Sequence, residues 1–332
     1  MTDTLKNLPW LKSSWSQLES YIKQERVPQA LLIVGKKGGG KSQLAEIFTQ
    51  SLLCVSPLPS GLSCGTCQSC TLFKAKTHPD SINIAPEEVG KVIGIDIIRQ
   101  LTAKLALKPQ FESYRVVVIN PADSLNNASA NAFLKYLEEP TERTCLILIT
   151  DKPAKLPATI RSRCQKLYVP IAEEKLAKNW LKQQGVVNDI DLLLSLSQGA
   201  PLLAKQLADN LVVDFRLGCF KQWNKVVLSE ESCISIAEQW SKLDKNEMEL
   251  LLSCLLSWVM DIIKLKCYPQ IERIVNNDLL MYLQQLADKL DLKLLYKYYD
   301  FLLLRRQQLD TQLNKQLMFE EILIQCSKLI RG

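Results

Sequence analysis

Apolar positions in the first half of the chain fall into short unbroken runs. Ala30–Val34 (ALLIV), Arg115–Ile119 (RVVVI) and Cys145–Ile149 (CLILI) are rich in branched side chains and show no alternation. Such runs predict strands buried on both faces of a parallel sheet. Between them the period changes. Ser42–Cys54 places Leu44, Ile47, Phe48 and Leu52 on one helical face, and Ala128–Glu139 has helical composition and spacing. Strand–helix–strand alternation predicts a doubly wound α/β domain.

After Pro170 the branched runs stop, and Leu, Lys, Gln and Glu dominate. Glu173–Gln184, Ile190–Ser197 and Pro201–Asp209 predict three short helices, with breaks at Gly185 and Gly199. Longer amphipathic helices follow, among them Glu247–Lys264, Asp278–Asp288 and Leu292–Asn314. The expected organisation is an α/β domain over 1–169, a three-helix segment over 170–209 and an all-α domain over 210–332. No internal repeat or low-complexity tail is visible.

Composition narrows the class. The chain has 332 residues, 47% apolar and 23% charged, which suits a soluble protein with several cores. A net charge of +6 permits an acidic partner such as DNA, without the clustered charge of a dedicated DNA-binding domain. Met1–Trp10 lacks the basic start and apolar run of a secretion signal. No stretch approaches the ~18 apolar residues of a membrane span. The expected location is therefore cytoplasmic. Eleven cysteines, an odd number without a secretion signal, argue against a disulfide framework. Cys145, Cys164, Cys219, Cys233, Cys254, Cys267 and Cys326 stand singly and are expected mostly as small buried apolar residues.

Gly35-Lys36-Lys37-Gly38-Gly39-Gly40-Lys41-Ser42 matches G-x-x-x-x-G-K-[ST] in full, between a predicted strand and a predicted helix. Gly35, Gly38, Gly39 and Gly40 let backbone N–H groups turn inward around phosphate oxygens, and the helix start adds its positive dipole end. Lys41 would reach the β- and γ-phosphates and Ser42 would ligate Mg²⁺, so ATP or ADP with Mg²⁺ is the expected ligand. Hydrolysis also needs an acidic pair at the end of a neighbouring strand. The strand placed for this ends in Asn120-Pro121-Ala122-Asp123. Asn120 brings no full negative charge and Pro121 no base. The expectation is nucleotide binding at most, with hydrolysis very slow or absent; Asp123, three residues on, leaves the opposite reading open.

Cys64-x-x-Cys67-x-x-Cys70 follows Cys54 by ten positions. Four thiolates at this spacing can converge tetrahedrally on structural Zn²⁺. Gly65 sits where the tight turn needs it, and Pro57, Pro59, Ser60 and Gly61 mark a loop that lets Cys54 fold back. Four sulfurs close the coordination sphere. An iron–sulfur cluster is the alternative; a redox pair would not explain four cysteines. His78 is expected to pack or cap in a loop, with a metal role left open.

These residues and their neighbours resemble a known family. Leu8-Pro9-Trp10, Pro28–Gly35 and the cysteine cluster ahead of Thr77-His78-Pro79-Asp80 are similar to bacterial clamp-loader subunits of the AAA+ class. Asn131–Pro140 (NAFLKYLEEP) and Leu156–Cys164 (LPATIRSRC) resemble the signatures of the delta-prime and gamma/tau subunits. The resemblance covers roughly the first 170 residues; near the end, Leu313–Leu317 with Glu320 is similar to the family's last helix.

The resemblance implies a P-loop (RecA-like) parallel-sheet domain with a zinc module at about 54–70, a helical lid and a helical collar. It also implies membership of the DNA polymerase III holoenzyme, with gamma/tau and delta subunits as partners. The sliding clamp and primer–template DNA would be met through that hetero-oligomer, and the chain would have no polymerase site of its own. Within the family, an acidic pair would stand at Asn120 and Pro121 in the gamma/tau motor, and a nucleotide-sensing arginine at Leu202. Both departures resemble delta-prime; the intact phosphate loop points towards the motor, which is kept as the alternative. A stand-alone zinc-containing nucleotide switch is a further rival, without a visible substrate site. By resemblance Arg163, in Ser162-Arg163-Cys164, is a finger reaching the γ-phosphate on a neighbouring subunit. Spacing alone would make it a surface or capping arginine. Arg161 is the less favoured neighbour. Lys135, Glu138 and Glu139, and the aromatics Tyr296, Tyr298, Tyr299 and Phe301, have ordinary readings as a solvated helix face and as packing.

Overall fold

The computed structural model describes the whole chain except residues 1–4, 6, 89, 106–107, 112, 140, 211, 269–273, 310–313 and 331–332. Pro140 of the Glu-Glu-Pro stretch and Leu313 of the last-helix stretch therefore lie outside the described residues. The chain divides into two compact units. One comprises Met1–Asn179 with Ala200–Leu203, and the other Trp180–Gly199 with Ala204–Gly332.

The first unit is built on a parallel sheet of β1 (Ala30–Val34), β2 (Ser81–Ile84), β3 (Arg115–Ile119), β4 (Thr144–Thr150) and β5 (Gln165–Tyr168), in the order β2-β3-β4-β1-β5. This is the α/β P-loop sheet expected of an AAA+ domain. The central register pairs Leu32 with Leu148 and Val117 with Leu146. Every position of β1 and β4 is buried, which is why both read as unbroken apolar runs. The edge strands β2 and β5 each bury one residue, so neither forms an unbroken apolar run.

Helices α1 (Lys12–Lys23), α2 (Lys41–Leu53), α3 (Gln68–Lys74), α4 (Ile95–Leu105), α5 (Asn127–Glu138) and α6 (Ala158–Arg163) complete this unit. Helix α2 lies against β1, β3 and β4. Ile98, Leu101 and Leu105 of α4 and Ala130, Phe133 and Leu137 of α5 join Leu32, Val117 and Leu146 in one core. Asn126 caps α5 by accepting from the Ser129 N–H, so this helix starts where its cap dictates. Helices α7 (Glu174–Gln183) and α9 (Pro201–Asp209) run across the division between units, and α8 (Ile190–Leu196) belongs to the second.

The second unit is helical, with α10 (Val212–Val227), α11 (Cys233–Ser241), α12 (Lys245–Cys267), α13 (Leu280–Lys289), α14 (Leu292–Gln308) and α15 (Lys315–Ser327). Helix α12 begins with a reciprocal capping box between Asp244 and Glu247 and packs on α10, α13 and α14. Phe220, Trp223 and Trp258 meet in its core, with the Phe220 and Trp258 rings 5.1 Å apart, edge to face. A buried polar network ties this core to 274–278. Arg216 donates to Asp278 at 2.6 Å and to Asn276 at 2.6 Å, while Asp261 accepts from the Val275 N–H and from both the backbone and amide of Asn276. In α14, Tyr298 is buried and Tyr296 half exposed, so the aromatic run points in several directions. Among the described residues, no helix is long and apolar enough to cross a membrane.

Candidate functional site

Because β4 and β5 flank β1, three strand ends surround the phosphate loop. The loop turns at Gly38 (φ 73°) and Gly40 (φ 98°), left-handed values that favour glycine. A side chain at Gly38 would collide with Leu203, and one at Gly40 would press on Leu11. The Gly38 carbonyl accepts from the Leu202 N–H at 3.2 Å, and the Gly39 carbonyl from the Trp10 indole at 2.9 Å. These contacts hold the loop open around the start of α2, whose first N–H groups have no partner within the helix. The cradle fits a phosphate chain.

Lys41 is buried at the head of α2, and its ammonium donates to the Lys36 carbonyl at 2.8 Å. Burial pulls its pKa down; Asp151 and then Asp123 act in the opposite direction. Asn120 stands at the end of β3, and its amide Nδ2 lies 3.1 Å from Ser42 Oγ. Asp123 sits in a 3₁₀ turn (Ala122–Ser124) beyond that strand and accepts from the Thr150 hydroxyl at 2.5 Å. Asp151 escaped the sequence reading. It follows β4, and only the strand order brings that end beside the loop; the one available signal was its position just after an apolar run.

The cysteine cluster assembles as its spacing suggests. Cys54 ends α2, Cys64 and Cys67 lie on the following loop, and Cys70 is in α3. Sulfur–sulfur separations are 3.6 Å for Cys54–Cys64, 3.9 Å for Cys54–Cys67 and 4.0 Å for Cys64–Cys70, and all four lie within 4.8 Å of one another. A tetrahedron with metal–sulfur bonds of about 2.3 Å has edges of about 3.8 Å, so the cluster can hold a metal ion. Backbone N–H groups of Cys64 and Cys67 point at Cys54 Sγ and Cys64 Sγ, both at 3.3 Å. N–H groups of Thr66 and Cys67 draw the Cys64 thiol down to about 6, whereas burial pushes Cys54 up to about 12. Gly65 (φ 79°) makes the turn, and Lys74 donates to its carbonyl.

His78 lies outside this sulfur cluster. Its Nδ1 accepts from the Asp80 N–H at 3.1 Å, which leaves Nε2 to donate to Ser69 Oγ at 2.9 Å. Ser69 in turn donates to the Leu53 carbonyl at 2.6 Å. The buried Asp80 carboxylate accepts from the N–H groups of Gln110 and Phe111 and pairs with Arg115. The module's two flanks, Leu53 and Ser69, are thus tied to the start of β2.

Arg163 is the last residue of α6 and is exposed. Its guanidinium donates to the Thr159 carbonyl at 3.0 Å and pairs with Glu138 at 2.7 Å. The structure therefore places it on a short helix, at the surface.

Comparison with known proteins identifies the family. A family profile described as "DNA polymerase III, delta subunit" matches residues 10–172, and one described as "DNA polymerase III, delta subunit, C terminal" matches residues 214–328. DNA polymerase III subunit delta' of Pseudomonas aeruginosa is 32% identical over 326 residues, 97% of this chain and 97% of that protein. Its counterpart from Yersinia pestis is 34% identical over 286 residues, 84% of this chain and 82% of its own. A DNA polymerase III subunit gamma/tau of Mycobacterium bovis is 32% identical over 194 residues, but these make up 56% of this chain and 33% of that protein. With near-complete pairing to one delta' subunit and two profiles spanning both units, the chain belongs to the family of DNA polymerase III delta-prime subunits.

Proposed function

We propose that the chain is a stationary member of a clamp-loading ATPase, which opens a ring-shaped sliding clamp and places it on primed DNA in the cytoplasm. Its partners would be gamma/tau and delta subunits, with clamp and primer–template DNA met through the complex. The observation that carries this reading is the pairing of an intact phosphate cradle with Asn120 and Pro121 where a motor needs two acids. Arg163, exposed at the end of α6, would serve a neighbour's active site as an arginine finger, a role worth ~10³–10⁵ in rate at the site it completes. Gly35, Gly38, Gly39, Gly40, Lys41 and Ser42 would hold nucleotide without appreciable turnover. Cys54, Cys64, Cys67 and Cys70 would hold structural Zn²⁺. Residues 170–209 would act as a lid and 210–332 as a collar for assembly.

Reconstitution with gamma and delta subunits tests this. Arg163→Ala is expected to leave assembly intact and to lower DNA-stimulated ATPase; unchanged ATPase would reject the finger. Turnover by the isolated chain at motor rates would favour the gamma/tau reading instead.

A further inference from the structure

Ser42, the loop hydroxyl expected to ligate a divalent cation, faces Asn120. With the amide nitrogen 3.1 Å from Ser42 Oγ, a donor N–H occupies one lone pair of that hydroxyl. Its dipole turns a positive end towards the place a cation would take. Rotating the amide by half a turn would present a carbonyl oxygen, still neutral and still a weak substitute for a carboxylate. The residue that follows, Pro121, has no side-chain oxygen at all.

Among the described residues Ser42 Oγ meets the Asn120 amide and no carboxylate. Asp123 is engaged by the Thr150 hydroxyl at 2.5 Å, and Thr150 itself accepts from the Lys152 N–H at 3.0 Å. Asp151 and then Asp123 act on Lys41 against the pull of burial and favour its charged form. A divalent ion at Ser42 would have that hydroxyl and the nucleotide's phosphate oxygens, without the carboxylate that ordinarily completes such a site. The loop carries positive charge of its own, with Lys36, Lys37 and Lys41 within six residues.

We infer that the cradle binds a nucleoside di- or triphosphate without a divalent cation, and that Asn120 is the residue that makes it so. This rests on the reading that the cradle takes nucleotide. It also deepens that reading, because a site that holds the polyphosphate but not the metal keeps its ligand intact. Bound nucleotide then acts as a brace between the loop and the residues resting on it, Trp10 and Leu202–Leu203.

The test is a titration of a fluorescent ATP analogue with the full chain, followed by anisotropy, once in MgCl₂ and once in EDTA. The dissociation constants should agree within about threefold, a difference below 1 kcal/mol, or be weaker with Mg²⁺. Tightening by Mg²⁺ beyond about threefold would overturn the inference while leaving nucleotide binding in place. Absence of binding in both media would overturn the nucleotide reading itself. Lys41→Ala should abolish binding in both media; binding that survives it lies elsewhere and counts against the proposal. Asn120→Asp should introduce tightening by Mg²⁺ of about tenfold or more, and an Asp variant as indifferent as the parent would remove Asn120 from its role. The comparison on the unmodified chain stands even where that variant fails to fold.

Discussion

Arg163 and Glu138 meet at 2.7 Å, joining the end of α6 to the end of α5. Both side chains are substantially exposed, at 38% and 51%, so the pair contributes little to stability, on the order of 0.2–1 kcal/mol. Its weight lies in direction. With the Thr159 carbonyl it holds the guanidinium in one orientation. Glu138→Gln is expected to leave the melting temperature within a few degrees and the assembly unchanged. In the reconstituted complex it should lower DNA-stimulated ATPase, by less than Arg163→Ala does. Equal ATPase in parent and variant would show that Arg163, in its proposed role, needs no such guide.

The sulfur cluster predicts one metal ion per chain. Cys64→Ala and Cys70→Ala should each lose it, measured by elemental analysis after purification without chelator. Chelation of the parent should lower its thermal stability, because binding energy at such a site adds to folding energy. Stoichiometric metal in either variant would argue against the four-sulfur set.

His78 is the single histidine of the chain and is held neutral, accepting from Asp80 and donating to Ser69. Burial lowers its pKa below the ordinary value of 6.5. The unfolded chain therefore takes up its proton first as pH falls. Its contribution to stability is complete above about 6.5 and is lost as pH falls from there through the folded pKa. Urea unfolding at pH 7.5 and 5.5 should show a larger loss for the parent than for His78→Gln. Parallel losses would place the pH dependence elsewhere.

Asp261 is fully buried in the second unit, where one oxygen accepts from three N–H donors and the other pairs with Lys264. Removing a partner from a buried charged network costs about 3–5 kcal/mol. Asp261→Ala should therefore lower the unfolding midpoint sharply and raise amide exchange at Val275 and Asn276. A midpoint close to the parent's would mean that water replaces the carboxylate.

Gly38 is constrained by its positive φ and by Leu203 beneath it. Gly38→Ala should abolish binding of the ATP analogue, whereas Gly218→Ala should not affect it, since a side chain at Gly218 meets nothing within 4 Å. Retained binding in the Gly38 variant would show that the loop has another usable conformation.

The parts visible in the sequence were those that depend on local chemistry. Strands β1 and β3 read from end to end because both faces of each are covered, which leaves an unbroken apolar run. The phosphate loop and the cysteine spacing were legible because each ligand set lies within a short stretch of backbone, where a turn alone brings the groups together. Edge strands β2 and β5 stayed hidden because each has four residues and buries one, too little to form an apolar run; α4, with Ile98, Leu101 and Leu105 at helical spacing, carried a signal that the reading passed over.

From the sequence alone came the cradle, the four sulfurs and the missing acids beside Ser42, because residue identity settles charge and coordination chemistry wherever the chain goes. Tertiary structure decided which distant groups share a site. It set Asp151 where its charge acts on Lys41, Glu138 against Arg163, and His78 beside the cysteine cluster rather than within it. Those pairings follow from strand order and helix packing, and packing is a property of the folded volume that no linear spacing encodes.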